Sequence, residues 1–495
     1  MSIKRVFQTA TLLLLVLSML LSFAACNKEE VPQTPTVDGE QETAAPDEKK
    51  LAFPKTDLNA EFNILYPAHG VYNDFFFATM DQAGETMSDA ILARADLLYD
   101  YLGVDVYGVP TPLHNTIAIR AVAIEVSNKV ASGDDAYQMV LAQAFESVTP
   151  MALGGYLLDF YSMDYVDLEA DYWNKESVDA LSIGGVGYFA MSDYLIPDPN
   201  AIFFNKQMLE RYQELADPYT LVRNGEWTLD KFFEMCSAVE YDNEGLDDPM
   251  TGQYGLSVMA DSDFIALIDS CEVDVLEDYD GEKILNMSAG NDKYATLLEK
   301  VFGKMGEDWV YLFPYGASQD IYMGIDKGTA LFTMENLKDA YKYRDSEVKF
   351  GFLPYPKWSV EQKEYHSFNW SGVMCVPNTI KDKELSEKTM EALAFFSTDT
   401  TKVAYYEKLL GARLADAPDD AEMLDYIWNG LTLNPVINYI DTAGTSLGKL
   451  VYTIADGVEG IMKNGTSGID LASYFNQYKN GAQDMIDKVL NGKLD

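Results

Sequence analysis

Basic residues are scarce in this chain: 36 Lys and Arg stand against 79 Asp and Glu, for a formal net charge of −43. A surface this acidic repels phosphate backbones, which excludes a nucleic-acid partner. It also repels anionic headgroups, so attachment to a membrane requires a covalent anchor. Histidine is nearly missing, with only His69, His114 and His366. Cysteine is limited to Cys26, Cys236, Cys271 and Cys375. With Cys26 set aside an odd number remains, which excludes a disulfide framework while leaving one bridge open. Neither G-x-x-x-x-G-K-[ST] nor H-E-x-x-H occurs, so no cofactor and no metal are expected. The acidic stretch Asp242–Asp248 lacks the ligand spacing of an EF-hand and reads as an exposed loop. Gly444-Thr-Ser-Leu-Gly448 matches G-x-S-x-G, but a hydrolase of that type needs a His after its Ser, and all three histidines precede Ser446.

What is present begins with a leader. Lys4 and Arg5 precede an apolar run over residues 10–25 that ends in small residues, and Cys26 follows. The run is short for a bilayer and leads into a polar tract, the order of a signal peptide. The junction Phe23-Ala24-Ala25-Cys26 resembles the lipobox of bacterial lipoproteins, although Leu is usual where Phe23 stands. That resemblance implies lipidation of Cys26 after cleavage, and acyl chains would hold the protein at the outer face of the cytoplasmic membrane. Residues 1–25 are thus read as the signal peptide. Residues 26–54, polar and carrying Pro32, Pro35 and Pro46, are read as a disordered tether.

The body carries ample apolar content, 48% of the chain, with 32 Tyr, 24 Phe and 6 Trp. Most of these aromatics are expected in cores. Residues 61–66 read as a strand ended by Pro67. Residues 87–103 read as a helix, with Ile91, Ala95, Leu98 and Leu102 on one face and Gly103 at its C-cap. A strand at 104–107, a helix at 116–130 and strands at 136–141, 186–190 and 201–204 follow, then a helix from Thr228 as N-cap. Cys236 shares a helical face with Phe232 and Val239 and reads as a core thiol. The last hundred residues read as mostly helical. Alternating strands and helices predict parallel sheets covered by helices, an α/β chain with ligand positions just after the strands.

Several phrases resemble, in order, the extracellular solute-binding proteins of family 1, the sugar-type receptors of ABC importers. They include Asp135-Ala-Tyr-Gln-Met-Val140, Gly154-Gly-Tyr-Leu-Leu-Asp-Phe160, and Gly187–Asp193 followed by Ile202-Phe-Phe-Asn-Lys206. Gly225-Glu-Trp-Thr228, Met323–Phe332 and Phe350-Gly-Phe-Leu-Pro-Tyr-Pro-Lys357 continue the series. Val186 and Phe204 replace the commoner Lys- and Tyr-type residues of the family pattern. The resemblance implies a periplasmic-binding-protein-like type II fold, two α/β lobes with a ligand cleft between them. Residues 55–203 and 352–397 would form lobe one, and residues 204–351 and 398–495 lobe two. It further implies a carbohydrate ligand, ABC permease subunits as membrane partners, a monomer, and no chemical step.

A sugar receptor needs acids, amides and backbone groups for hydroxyls, and flat aromatics for ring faces. Asp193 stands where family members place a ligand-binding acid, and Gln143 follows the 136–141 strand. Glu335 follows the Phe332 strand without the aromatic that many sugar receptors carry there. Trp370 reads equally as a stacking platform or a packing residue. Tyr66, His69 and Tyr72 border the first strand-end loop. Trp173, Trp227 and Trp309 read as packing residues. The many carboxylates leave a lipid-anchored glycoside hydrolase as the enzyme alternative, and a sensing lipoprotein of the same fold as a third reading.

Overall fold

The computed structural model describes residues 50–68, 76–78, 80–114, 116–239, 252–288, 291–315, 325, 327–343, 347–370, 372–406, 418–439 and 445–493. The leader, Cys26, His69, Tyr72 and the acidic stretch at 242–248 lie outside them. Among the described residues no helix is long and apolar enough to cross a membrane.

In chain order the strands are β1 (Ala60–Ala68), β2 (Val104–His114), β3 (Met139–Gln143), β4 (Trp173–Asn174), β5 (Met191–Ser192), β6 (Asn200–Asn205), β7 (Tyr254–Met259), β8 (Leu276–Tyr279), β9 (Glu282–Leu285), β10 (Val310–Phe313), β11 (Ala330–Asn336), β12 (Phe350–Leu353), β13 (Ser367–Phe368), β14 (Gly372–Cys375) and β15 (Leu431–Thr432). Two larger sheets result, ordered β14-β3-β1-β2 and β10-β7-β11-β6-β12. In the first, β1, β2 and β3 run parallel and β14 runs against them. In the second, β10, β7, β11 and the edge strand β12 share one direction while β6, between β11 and β12, opposes them.

Two strand boundaries differ from the sequence reading, for one reason. β1 continues through Pro67, and β2 runs to His114 across Pro110 and Pro112. Proline cannot donate to a sheet ladder and so suits an edge. β2 is the edge strand, and the β1–β2 register slips between Tyr66 and Ala68. The helix expected at 87–103 spans Thr86–Leu102, and Gly103 caps it at φ 63°. Thr228 caps the helix Leu229–Ser237 by accepting from the Lys231 amide. Where a strand was expected over 186–190, only bridges from Ile183 to Val186 and from Ala190 to Met374 form before β5.

Residues 51–495 form one compact unit built on two cores. The first gathers Phe62, Ile64, Leu141, Phe189 and Met374 around the first sheet. The second gathers Phe203, Trp227, Leu256 and Phe332 around the other. Phe352, Leu353, Tyr355, Tyr365 and Phe368 also belong to the second core, and the chain returns to the first with Val373. Cys236, Cys271 and Cys375 are buried free thiols. Burial pushes Cys271 up to about 12 and the other two upward as well, so none is a ready nucleophile. Trp227 is fully buried, and its indole donates to the Pro354 carbonyl at 2.9 Å.

Packing leaves no room at one glycine of β7. A Cβ on Gly255 would lie 1.9 Å from the Cys236 carbonyl oxygen, so strand and helix touch backbone to backbone. Gly255→Ala must push the helix Leu229–Ser237 away from the sheet. The expected loss is about 2–3 kcal/mol, read from urea unfolding, because the obstructing atom is backbone and cannot rotate aside. A loss under half a kilocalorie would show that the contact is not enforced.

Candidate functional site at the crossings

Parallel strands place ligands beyond their C-terminal ends, and here strand direction fixes where those ends meet. Gly372 pairs with Gln143, the last residue of β3, so the chain just before β14 lies at the C-terminal edge of the first sheet. Ala190 bridges Met374, so residues 190–193 leave by the same edge. The chain then enters the second sheet at Asn200, which pairs with Asn336 at the C-terminal end of β11. Both C-terminal edges therefore flank the segments 193–200 and 369–370.

A polar cluster occupies this junction. Asp198 is 7% exposed. Its Oδ2 accepts from Asn336 Nδ2 at 3.1 Å and from Lys338 Nζ. Its Oδ1 is buried without a protein partner among the described residues. Asn200 Nδ2 donates to Asn336 Oδ1 at 3.0 Å, and its own Oδ1 accepts from the Trp370 indole at 2.7 Å. The Asp198 amide donates to Asn369 Oδ1 at 2.8 Å, which staples the two crossings together. Burial lifts the Asp198 carboxyl above the ordinary range, against the opposing pull of Lys338. The site thus offers an acceptor oxygen, amides and an indole beside one paired cation. That set suits hydroxyl-bearing ligands and contains no nucleophile–base pair.

The sequence-predicted residues divide around this cluster. Trp370 joins it, its ring 4.7 Å from Phe368 in a T-shaped contact. Glu335 is buried one residue before Asn336, with Thr333 Oγ1 at 3.4 Å. Gln143 ends β3 opposite Gly372. Tyr66 is buried in the first core, 4.7 Å from the Phe77 ring. Asp193 stands apart: Oδ2 accepts from Thr398 Oγ1 and Oδ1 from Lys402 Nζ, both at 2.8 Å. It fastens the third crossing, a π-helical turn over Thr398–Lys402. Arg94 secures the same turn by donating to Ser397 and Thr401 at 3.3 Å. Asp198, Asn200, Lys338 and Asn369 were not foreseen. The signal available was Asp-Pro-Asn at 198–200, polar residues at the mouth of an apolar strand. Among the described residues no group of three or more His, Cys, Asp or Glu could hold a metal.

No family model matches the chain, and no curated protein matches it in sequence. Solved structures do match. An ABC substrate-binding protein from Listeria monocytogenes, in complex with cycloalternan, is 13% identical with a TM-score of 0.55, covering 87% of this chain and 99% of that one. The GacH receptor of Streptomyces glaucescens, solved unliganded and with acarbose, is 13% identical with a TM-score of 0.56, covering 88% and 99%. Maltose-bound MalE3 of T. maritima is 14% identical with a TM-score of 0.53, covering 86% and 99%.

The chain has the type II periplasmic-binding-protein fold. Asp198 and Trp370 sit on the segments that connect the two larger sheets of this chain. The described part of the G-x-S-x-G motif, from Thr445, has a packing role here. Thr445 caps the helix Ser446–Val451 through the Gly448 amide at 3.0 Å. A Cβ on Gly481 would meet Ser446 Oγ at 2.3 Å, so that hydroxyl sits tight against the last long helix. Trp173, expected to pack, is buried, and its indole donates to Glu391 at 2.7 Å.

Proposed function

We propose that this protein is the lipid-anchored, extracytoplasmic substrate-binding subunit of an ABC importer, that it captures a carbohydrate at the crossings, and that it hands the sugar on unchanged. The observation that carries the reading is the buried, unpartnered Asp198 Oδ1 beside Asn336, Lys338 and the Trp370 indole, at the junction of two C-terminal sheet edges. A sugar hydroxyl donates well to such an oxygen, and excluded water strengthens the bond. Structural likeness to receptors solved with cycloalternan, acarbose and maltose supports a sugar as the ligand class. The order of leader, Cys26 and polar tether supports anchoring at the outer membrane face. On this reading lobe one takes 51 to about 195 with 372–397, and lobe two takes about 196–371 with 398–495. This moves 352–368 to lobe two, because Tyr355, Tyr365 and Phe368 pack in the second core. The chain acts as a monomer that presents its closed form to permease subunits.

The test is a thermal-shift screen of residues 51–495 against mono- and oligosaccharides, with recovered sugar checked by chromatography. A sugar at a hundredfold excess over its Kd adds about 2.7 kcal/mol and raises Tm. The expected outcome is one stabilising sugar class, recovered intact. Cleavage of the sugar would replace the receptor reading with a glycosidase, and no stabilisation across the panel would remove the carbohydrate assignment.

A further inference from the structure

A cavity of about 910 Å3 lies beside the crossings; it shares Asn369 with the site described above, but Asp198, Asn200, Asn336, Lys338 and Trp370 do not line it. None of the described residues that follow β1, β2, β3, β7, β10 or β11 lines it. Its walls come instead from β4, β5, the three crossings and the segment through β15. Trp173 represents the first core, while Tyr406 and Trp428 pack against the second. The Tyr406 and Trp428 rings meet at 4.4 Å, nearly perpendicular, and both line the cavity. Among the described residues neither the Trp428 indole N–H nor the Tyr406 hydroxyl has a hydrogen-bond partner. Asn369 and Thr432 add amide and hydroxyl groups to the wall.

Charge narrows the ligand. Lys402 is paired with Asp193 at 2.8 Å and Lys175 with Asp179 at 2.6 Å, so the wall holds no unclaimed cation for an anionic group. Asp171 and Glu176 at the rim oppose anions further. Flat aromatics, neutral donors and paired charges suit a neutral, hydroxylated ring. The volume falls within the range of small-ligand pockets and exceeds a single ring. We infer that this cavity is a second binding site, distinct from the Asp198 cluster, for a neutral hydroxylated ring compound of two or three rings, held between Trp428, Tyr406 and Trp173.

The site is tested with residues 51–495 carrying 5-fluorotryptophan, which labels Trp173, Trp227, Trp309, Trp358, Trp370 and Trp428. The Trp428 resonance is assigned by its loss in Trp428→Phe. The probes are maltotriose, trehalose and 4-nitrophenyl glucoside. The expected result is a Trp428 shift that saturates with its own dissociation constant and persists in Asp198→Asn. Tyr406→Ala should weaken that shift about tenfold, as loss of a ring contact does. If the alanine variant disturbs the other resonances, Tyr406→Phe keeps the ring, removes the hydroxyl and should weaken binding a few-fold. The inference is overturned if Trp428 is silent with every probe. It is equally overturned if Trp428 moves only with the midpoint of Trp370 and falls silent in Asp198→Asn, because the shift would then report the cluster. A silent Trp370 beside a responding Trp428 would leave this cavity standing while removing the sugar site at the crossings.

Discussion

Glu391→Ala is expected to cost about 3–5 kcal/mol of stability, among the largest single-residue losses in this chain, because it strands buried donors. Glu391 lies fully buried on the helix Lys383–Ser397. Its Oε1 accepts from the Tyr172 hydroxyl at 2.5 Å, and its Oε2 from the Trp173 indole at 2.7 Å and the Asp167 amide at 3.2 Å. Alanine leaves all three donors without an acceptor and opens a void beneath Trp173. Urea unfolding monitored by tryptophan fluorescence reads the loss. The pH dependence has a defined sign. Burial raises the folded-state pKa of Glu391 above its unfolded value. Stability from this group is therefore fully present below the unfolded pKa and declines as pH rises through the folded one. The gap between wild type and Glu391→Ala should be widest in acid and narrow toward neutrality. A gap that widens with pH would show that the carboxylate form is the favoured one in the fold.

Asp198→Asn is expected to weaken sugar binding by about 30–100-fold, equivalent to about 2–3 kcal/mol, while leaving the unfolding transition nearly in place. Asparagine keeps the shape and one acceptor but loses the charge that strengthens a hydroxyl's hydrogen bond. Lys338, with its side chain 26% exposed, can turn toward water when the pair is broken. Calorimetry on the stabilising sugar measures the change, and an affinity within twofold of wild type would place the ligand elsewhere. In the wild type, binding should weaken as pH falls, since protonation removes the charged acceptor. Because burial raises this carboxyl, the weakening should begin above the ordinary carboxylate range and be absent in the Asn variant.

The sequence by itself determined the helices with clear periodicity and caps. Thr86–Leu102 with Gly103, and Leu229–Ser237 with Thr228, are decided by contacts within a few residues. It also determined the α/β class, because strands and helices alternate along the chain, and it set Cys236 in a core by helical spacing. Proline misled it at the first sheet: Pro67 read as a strand end, yet β1 runs on to Ala68 through a slip in register, and β2, read only to 107, extends across Pro110 and Pro112 because it is an edge strand. The site was legible only in part, for a related reason. Trp370, read equally as a stacking platform or a packing residue, lies at the junction, whereas Asp193 was named and Asp198 was not. Which acid meets Asn336 and Lys338, and which meets Thr398 and Lys402, depends on pairs separated by 138, 140, 205 and 209 positions. Such pairs form only when two sheets turn their C-terminal edges toward shared crossings, and local propensity carries no record of that arrangement.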